Sequence, residues 1–525
     1  MNRKVKDNLF ATLMTALVIA FIVLANVVLY SLTVINEWYF AYTEEIDLSL
    51  SGSTRELFAD AEKKGRKVDI IFCMPRDELK NHTTGKDVLH TVEQLKELHP
   101  DFINIKYYNV TTKLDETKPD EKGKSVSAEL EKYKTDMRGK ETVIHKGTVI
   151  FSSKISDGAG NVREDYIVLS NQYSGVPFVD FFHIDTDGYI TAYIGEEVVA
   201  SMVLWTLATE HKTVYFTKGH GESVDVAFAK ALERAGYYVE ELDLLRTKLV
   251  NNESADKDNG LNVDRAAMVI ISNPTADFLK GDGVDAEIEK LREYLGTYGG
   301  SLYVSLDPYA KTLPNLEALL SEYGISMMSG KADDGEIYRQ IVRESQNATP
   351  GDGGFTFVAN YADNEFGKKF SEKTGKYVDD KVLLKNAGAL SLSGSAKPVL
   401  VTSASADTLI KGETVKTSEQ FAVGAISEKT EKNVTSRVFV TSSVYLTASD
   451  AVVSDSYANR GFTYALFETF FDAPVAPYGC KAVPYSTGRL DVTMGTARLY
   501  TVLVMIIPVA IAAVGIVVNK RRKNR

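Results

Sequence analysis

Cysteine is almost missing from this chain: Cys73 and Cys480 stand alone among 525 residues. Two cysteines exclude a disulfide framework, a cysteine-ligated zinc site and a Cys-x-x-Cys redox centre. Whether the two pair depends on a distance that sequence does not carry. Cys73 falls within the apolar run Val68 to Met74, where a small buried hydrophobe is the commoner role. Histidine is scarce too, and the seven present include no His-x-x-x-His pair that would place two metal ligands on one helix face. Basic clusters are missing outside the C-terminal tail, and the net charge is −11, so nucleic acid is not an expected partner. No Gly-x-Ser-x-Gly elbow follows a strand, and no Gly-x-x-x-x-Gly-Lys-Ser/Thr loop occurs. The first excludes the usual serine hydrolase arrangement, the second an ATPase of the P-loop kind.

Long apolar runs, by contrast, are present at both ends. Leu9 to Leu32 and Leu499 to Val518 carry no charge, and each is long enough to cross the ~30 Å hydrocarbon core of a bilayer. Arg3, Lys4 and Lys6 precede the first run and Glu37, Glu44, Glu45 and Asp47 follow it, while Lys520, Arg521, Arg522, Lys523 and Arg525 follow the second. The positive-inside rule then puts residues 1–8 and 519–525 in the cytoplasm, with 9–32 and 499–518 as transmembrane helices of a two-pass cell-membrane protein. A cleaved signal is the competing reading of the first run, but a signal core is shorter and ends at small residues, whereas this one meets Tyr30, Leu32 and Trp38. A buried core helix is the competing reading of the second, and the basic stop directly after it argues for a span.

With 525 residues, 44% hydrophobic and 25% charged, the chain can fill two or three globular domains. The first, 45–205, reads as α/β. Val68 to Cys73 and Asn104 to Val110 are strands flanking a helix with apolar positions Val88, Leu89, Val92, Leu95 and Leu98, a unit expected to be parallel. Val143 to Ser152 and Asp165 to Ser170 read as further strands around a Gly158, Gly160 turn, and Gly195 to Thr209 as a closing helix. Between 212 and 330, strands at Thr213 to Thr217, Tyr237 to Leu244, Ala266 to Ser272 and Ser301 to Leu306 alternate with helices at Val224 to Ala235, Ala286 to Leu295 and Asn315 to Tyr323. That alternation predicts a doubly wound parallel sheet of Rossmann or flavodoxin-like type, and the block also resembles amidotransferase-like folds. The stretch 331–476 is rich in Thr, Ser and Val, with strands at Val399 to Thr402 and Arg437 to Thr441, and either completes the sheet or forms a subdomain.

Open parallel sheets bind ligands at the carboxyl ends of their strands. Gly219, His220, Gly221 and Glu222 leave the first strand of this block, Asn273 the third and Asp307 the fourth, which marks a candidate ligand crevice. The two glycines would let a backbone approach a ligand, and the amides of the following helix would suit an anion. A plain structural reading stands beside this: a glycine pair is what a tight strand-to-helix turn needs, and Asp-Pro is a common turn. The turn lacks the third glycine of Gly-x-Gly-x-x-Gly, since Ala227 and Phe228 follow, so no dinucleotide is expected. His220 and Glu222 alone do not make a metal site. No cofactor is expected, and neither cysteine lies where an amidotransferase would carry its nucleophile.

The order of these features resembles the GldG-like family, membrane-anchored auxiliary components of ABC transport systems first named for gliding motility. The resemblance rests on Glu45 to Thr54 (EIDLSLSGST), Gly195-Glu196-Glu197 before a helix, VYFTKGHGE at Val214 to Glu222, VIISNP at Val269 to Pro274, YLGTYGGSLYVSL at Tyr294 to Leu306 before Asp307-Pro308, LEALLSEYG at Leu316 to Gly324, and Val438 to Ser443 with Asn459-Arg460. It implies a non-catalytic subunit beside a separate ABC permease and ABC ATPase, tethered to the lipid bilayer and presenting its main domain outside the cytoplasm. It transfers no catalytic residue. Two other function classes fit the residues: an external ligand- or glycan-binding protein using the crevice, and a hydrolase using His220, Glu222 or Asp307 as acid or base.

Overall fold

The computed structural model describes residues 47–484 and Lys520, apart from 64, 112–125, 157–161, 171–176, 185–187, 209, 255–259, 282–285, 376–380, 455, 472–476, 478 and 481. Both expected membrane spans, both cytoplasmic ends save Lys520, and the Gly158, Gly160 turn lie outside the described residues. Among the described residues no helix is long and apolar enough to cross a membrane. Residues 49 onward form one compact unit, and its architecture is mixed α/β with parallel sheet regions.

The first sheet has the order β2-β1-β3-β4, from β1 (Val68–Phe72), β2 (Ile103–Tyr107), β3 (Val149–Ser156) and β4 (Val162–Leu169). β1 and β2 are parallel across helix α1 (Gly85–Leu98), as its apolar spacing predicts. β3 returns antiparallel to β1 and makes a hairpin with β4. Helix α2 (Gly195–Leu207) packs on this hairpin; almost every residue of it is buried, which its near-continuous apolar sequence requires.

The second sheet is larger, with eleven strands. β5 (Thr213–Thr217), β6 (Tyr238–Leu242), β7 (Ala266–Ser272) and β8 (Ser301–Ser305) are all parallel, in the order β6-β5-β7-β8. Later strands are β9 (Thr356–Tyr361), β10 (Val382–Lys385), β11 (Lys397–Val401), β12 (Ala422–Glu431) and β13 (Val434–Thr441). β13 joins β8 in parallel register, Val438 beside Leu302 and Val440 beside Val304. The order of the parallel strands is therefore second, first, third, fourth, fifth. From β13 the sheet continues antiparallel through β12, β11, β9 and β10. Strands from the stretch 331–476 thus join this sheet, while Ile341–Arg343, Ala406–Ile410 and Glu413–Glu419 form a separate three-stranded sheet. Ile325–Met327 takes no place among the parallel strands and pairs antiparallel with Leu390–Leu392.

Side chains alternate between the two faces, as the strand period of two dictates. Phe216, Ile270, Tyr303 and Phe439 point to one core, covered by α3 (Val226–Arg234), α6 (Glu365–Gly375) and α7 (Asn459–Phe470) through Phe228, Phe370, Phe462 and Phe467. Tyr215, Val269, Val304 and Val440 point to the other, covered by α4 (Glu287–Tyr298) and α5 (Pro314–Glu322) through Ile288, Leu291, Leu316 and Leu320. Residues buried on both faces explain why these strands are continuously apolar. Asn459 pins α7 to the far edge: its side chain accepts from Leu383 N–H at 2.9 Å and donates to the carbonyls of Leu383 and Leu446 at 2.9 and 3.0 Å.

Candidate functional site

The strand order reverses between β5 and β7, and an open sheet offers its crevice there. In this protein the turn after β5 fills that crevice with its own side chain. Gly219 and Gly221 take φ of +113° and +74°, the left-handed region open to glycine, and turn the chain sharply. His220 is thereby buried. Its carbonyl accepts from Thr275 and Ala276 N–H at 2.8 and 2.9 Å, tying the turn after β5 to the turn after β7. Its ring lies flat on Phe278, centroids 3.9 Å apart.

Both ring nitrogens of His220 face carboxylates, Nδ1 donating to Glu222 Oε1 at 3.2 Å and Nε2 to Glu287 Oε2 at 2.9 Å. A neutral imidazole has one N–H, so two carboxylate acceptors select the doubly protonated ring. Burial opposes that charge, but the hydrogen bonds that the ring donates to Glu222 and Glu287 outweigh it and raise the His220 pKa to about 9. Burial pushes Glu222 the other way from its net shift: bonds from His220 and from backbone N–H groups hold its carboxyl below the usual range. Glu222 Oε2 also accepts from His220 N–H at 2.6 Å, and Glu287 Oε2 from Leu279 N–H at 2.9 Å. These groups are engaged with one another, so the Gly219 to Glu222 turn is a clasp on the sheet.

Asn273 and Asp307 lie elsewhere on the rim. They line a cleft of about 350 Å³ at the carboxyl ends of β7, β8 and β13, together with Ser223, Asp225, Tyr309, Lys385, Asn386, Tyr445 and Thr447. The sequence candidates therefore separate, with Gly219, His220, Gly221 and Glu222 in the clasp and Asn273 and Asp307 in the cleft. Asn273 holds φ of +52°, a conformation asparagine tolerates better than most residues, at the abrupt end of β7 before Pro274. Its amide donates to Ser223 Oγ at 3.4 Å, while Oδ1 is shielded from solvent with no partner among the described residues. Asp307 Oδ1 accepts from Tyr309 N–H at 2.9 Å. Behind it, buried Arg339 donates to the Asp307 carbonyl at 2.7 Å and to Glu317 at 2.5 Å, which fixes the loop after β8.

Sequence reasoning misses Lys385 and Asn386 because Lys385 ends β10 and Asn386 follows it, at the far edge of the sheet. The chain after β10 folds back across the sheet end: Ser443 Oγ donates to the Lys385 carbonyl at 2.6 Å and Gly388 N–H to the Ser442 carbonyl at 3.0 Å. No periodicity signals that return. Asp225 caps α3 by accepting from Ala227 N–H at 2.9 Å and also accepts from Ser449 N–H at 2.7 Å and from the Ser449 hydroxyl. No group of three or more His, Cys, Asp or Glu side chains arranged to hold a metal ion occurs among the described residues. The cleft offers amides, hydroxyls, two carboxylates and an ammonium, a set suited to holding a polar small molecule.

A larger cleft of about 530 Å³ lies between α2, α3, β6 and the 136–142 loop, lined by Val198, Met202, Trp205 and Tyr238. None of the sequence candidates lines it. Arg138 and Arg234 at its wall are already paired, with Glu240 and Glu197.

No family model matches this chain, and no curated protein matches it. Among solved structures it is similar to the mmIFT52 N-terminal domain, at 17% identity and a TM-score of 0.34 over 49% of this chain and 96% of that one. It is also similar to PurLQS from Thermotoga maritima (10%, 0.28, covering 49% and 98%) and to a glutamine amidotransferase from Thermotoga maritima (10%, 0.22, covering 46% and 80%). Overlaps this distant carry no argument about activity.

Proposed function

We propose that this protein is a non-catalytic, membrane-anchored auxiliary subunit of an ABC-type transport system, of GldG-like kind, presenting residues 45–476 outside the cytoplasm beside a separate permease and ATPase. The observation that carries the reading is the meeting of three separate segments of the resemblance at the start of α2. Ser51 N–H, from the Glu45 to Thr54 stretch, donates to Glu196 at 2.6 Å. Glu197 pairs with Arg460 at 3.3 Å, and Arg460 belongs to the Asn459-Arg460 segment that opens α7. Segments remote in sequence that share one junction form a single framework, and a framework is what a resemblance spread over nearly the whole chain implies.

The finer description of the fold belongs to the same proposal. A parallel order of second, first, third, fourth, fifth strand with helices on both faces is that of a doubly wound, flavodoxin-like sheet, the scaffold also used by amidotransferases. The paired charges of the clasp favour a structural role over acid–base catalysis at His220 and Glu222. Two anchors suit a subunit that stays with its permease.

The test is a mild-detergent pull-down of the tagged full-length protein from its native membrane, with mass spectrometry of what is retained. Recovery of a permease and an ABC ATPase in fixed ratio is the expected result. Recovery of this chain alone, under conditions that keep known ABC complexes intact, overturns the proposal.

A further inference from the structure

We propose that the cleft at the carboxyl ends of β7, β8 and β13 binds a small zwitterion of the α-amino acid class, with the ammonium on Asp307 and the carboxylate on Lys385. This does not depend on whether the chain docks on a permease.

The cleft has the size and place of a small-molecule site. Its volume of about 350 Å³ falls within the ~300–1,000 Å³ of such pockets, and it opens at strand carboxyl ends. Its charges decide the ligand class. Asp225, though in the lining, is spent on the α3 cap and on Ser449. Those neutral donors occupy both Asp225 oxygens without removing its charge, which leaves Asp307 as the carboxylate with an oxygen open to a ligand and Lys385 as the one ammonium, and neither of these two forms an ion pair among the described residues. They reach the cleft from different elements, Asp307 from the loop after β8 and Lys385 from the end of β10. A ligand with a single charge would satisfy one of them and stand against the other. A neutral polyol would shield both from water and compensate neither. A zwitterion pairs with both.

The remaining polar groups suit the same ligand. Asn273 lines the same cleft, its side-chain amide held 3.4 Å from Ser223 Oγ. Asn386 carries amide donors beside Lys385 and could share the carboxylate. The loop that holds Asp307 is set by buried Arg339, so its carboxylate is positioned before a ligand arrives.

The experiment uses full-length protein in mild detergent and the twenty free L-amino acids at millimolar concentration, read by thermal shift and then by titration calorimetry. Glucose serves as the neutral probe. At least one amino acid is expected to bind, and its N-acetyl and carboxamide derivatives are expected to bind less well. Asp307→Asn keeps the acceptor for Tyr309 N–H, and Lys385→Met keeps the aliphatic stem. Each is expected to weaken binding about tenfold or more while leaving the ligand-free melting temperature unchanged. The proposal is overturned if no amino acid binds, if both variants bind as well as the parent, or if glucose binds and the amino acids do not.

Discussion

Glu197 and Arg460 meet at 3.3 Å in the interior, one from the helix that closes the first sheet and the other from the helix that ends the second. Arg234 approaches the same carboxylate at 3.4 Å, and Tyr464 donates its hydroxyl to it at 2.9 Å. Glu197 is 2% exposed. Burial would raise its pKa, but Arg460, Arg234 and Tyr464 outweigh burial and hold it below the ordinary carboxylate range.

Breaking this cluster leaves charge buried without compensation. Arg460→Ala and Glu197→Gln are each expected to cost about 3–5 kcal/mol. Thermal denaturation of the solubilised protein checks this, and a melting temperature within error of the parent for both variants would refute it. Since the folded pKa of Glu197 is depressed, the contribution is present above its unfolded pKa and is lost as pH falls through the folded value.

The His220 clasp has the opposite pH sign. Its folded pKa of about 9 lies above the ordinary 6.5, so its stabilisation is complete below about pH 6.5 and is lost as pH rises through about 9. The melting-temperature gap between the parent and His220→Gln is therefore expected to narrow between those limits. A gap that widens with pH contradicts the charged clasp.

Gly221 sits where a side chain has no room. At its φ of +74° a Cβ would fall 2.0 Å from Thr275 Oγ1. Gly221→Ala is expected to destabilise by about 1–3 kcal/mol through the left-handed conformation alone, with the clash added. The pair Gly221→Ala with Thr275→Ala is expected to recover only part of the loss, which denaturation of the single and double variants measures.

The cysteines are both free and buried, which answers the question of their pairing. Burial pushes the Cys73 thiol up to about 12 and also raises Cys480. Iodoacetamide is expected to modify neither in the folded protein and both after denaturation, as intact mass will show. Thr54 Oγ1 lies 3.4 Å from Cys480 Sγ. Thr54→Cys is accordingly expected to form a disulfide with Cys480 under mild oxidation, detected by non-reducing peptide mapping.

Local pattern located most of the sheet. Ala266 to Ser272 reads as a strand from its unbroken apolar run and is one, and Gly236 and Gly324 end helices at their positive φ. The rim was legible only in outline. Asn273 and Asp307 are strand-terminal residues in a strand-helix alternation, so topology alone places them at the cleft. His220 carries the same signal but turns inward, because Glu287 and Phe278, which receive it, follow β7 and not β5.

Sequence by itself determined what depends on near neighbours: the two apolar runs and their charged flanks, the alternation of strand and helix from 213 to 323, and the turns that glycine and proline impose. Tertiary structure alone decided that β13 is the fifth parallel strand, that Lys385 reaches the cleft of Asp307, and that Glu197 is neutralised by Arg234 and Arg460. Periodicity reports which face of an element is apolar. It does not say which distant face or charge will cover it, because burial and ion pairing are satisfied by contact in space and leave no trace in the spacing of residues along the chain.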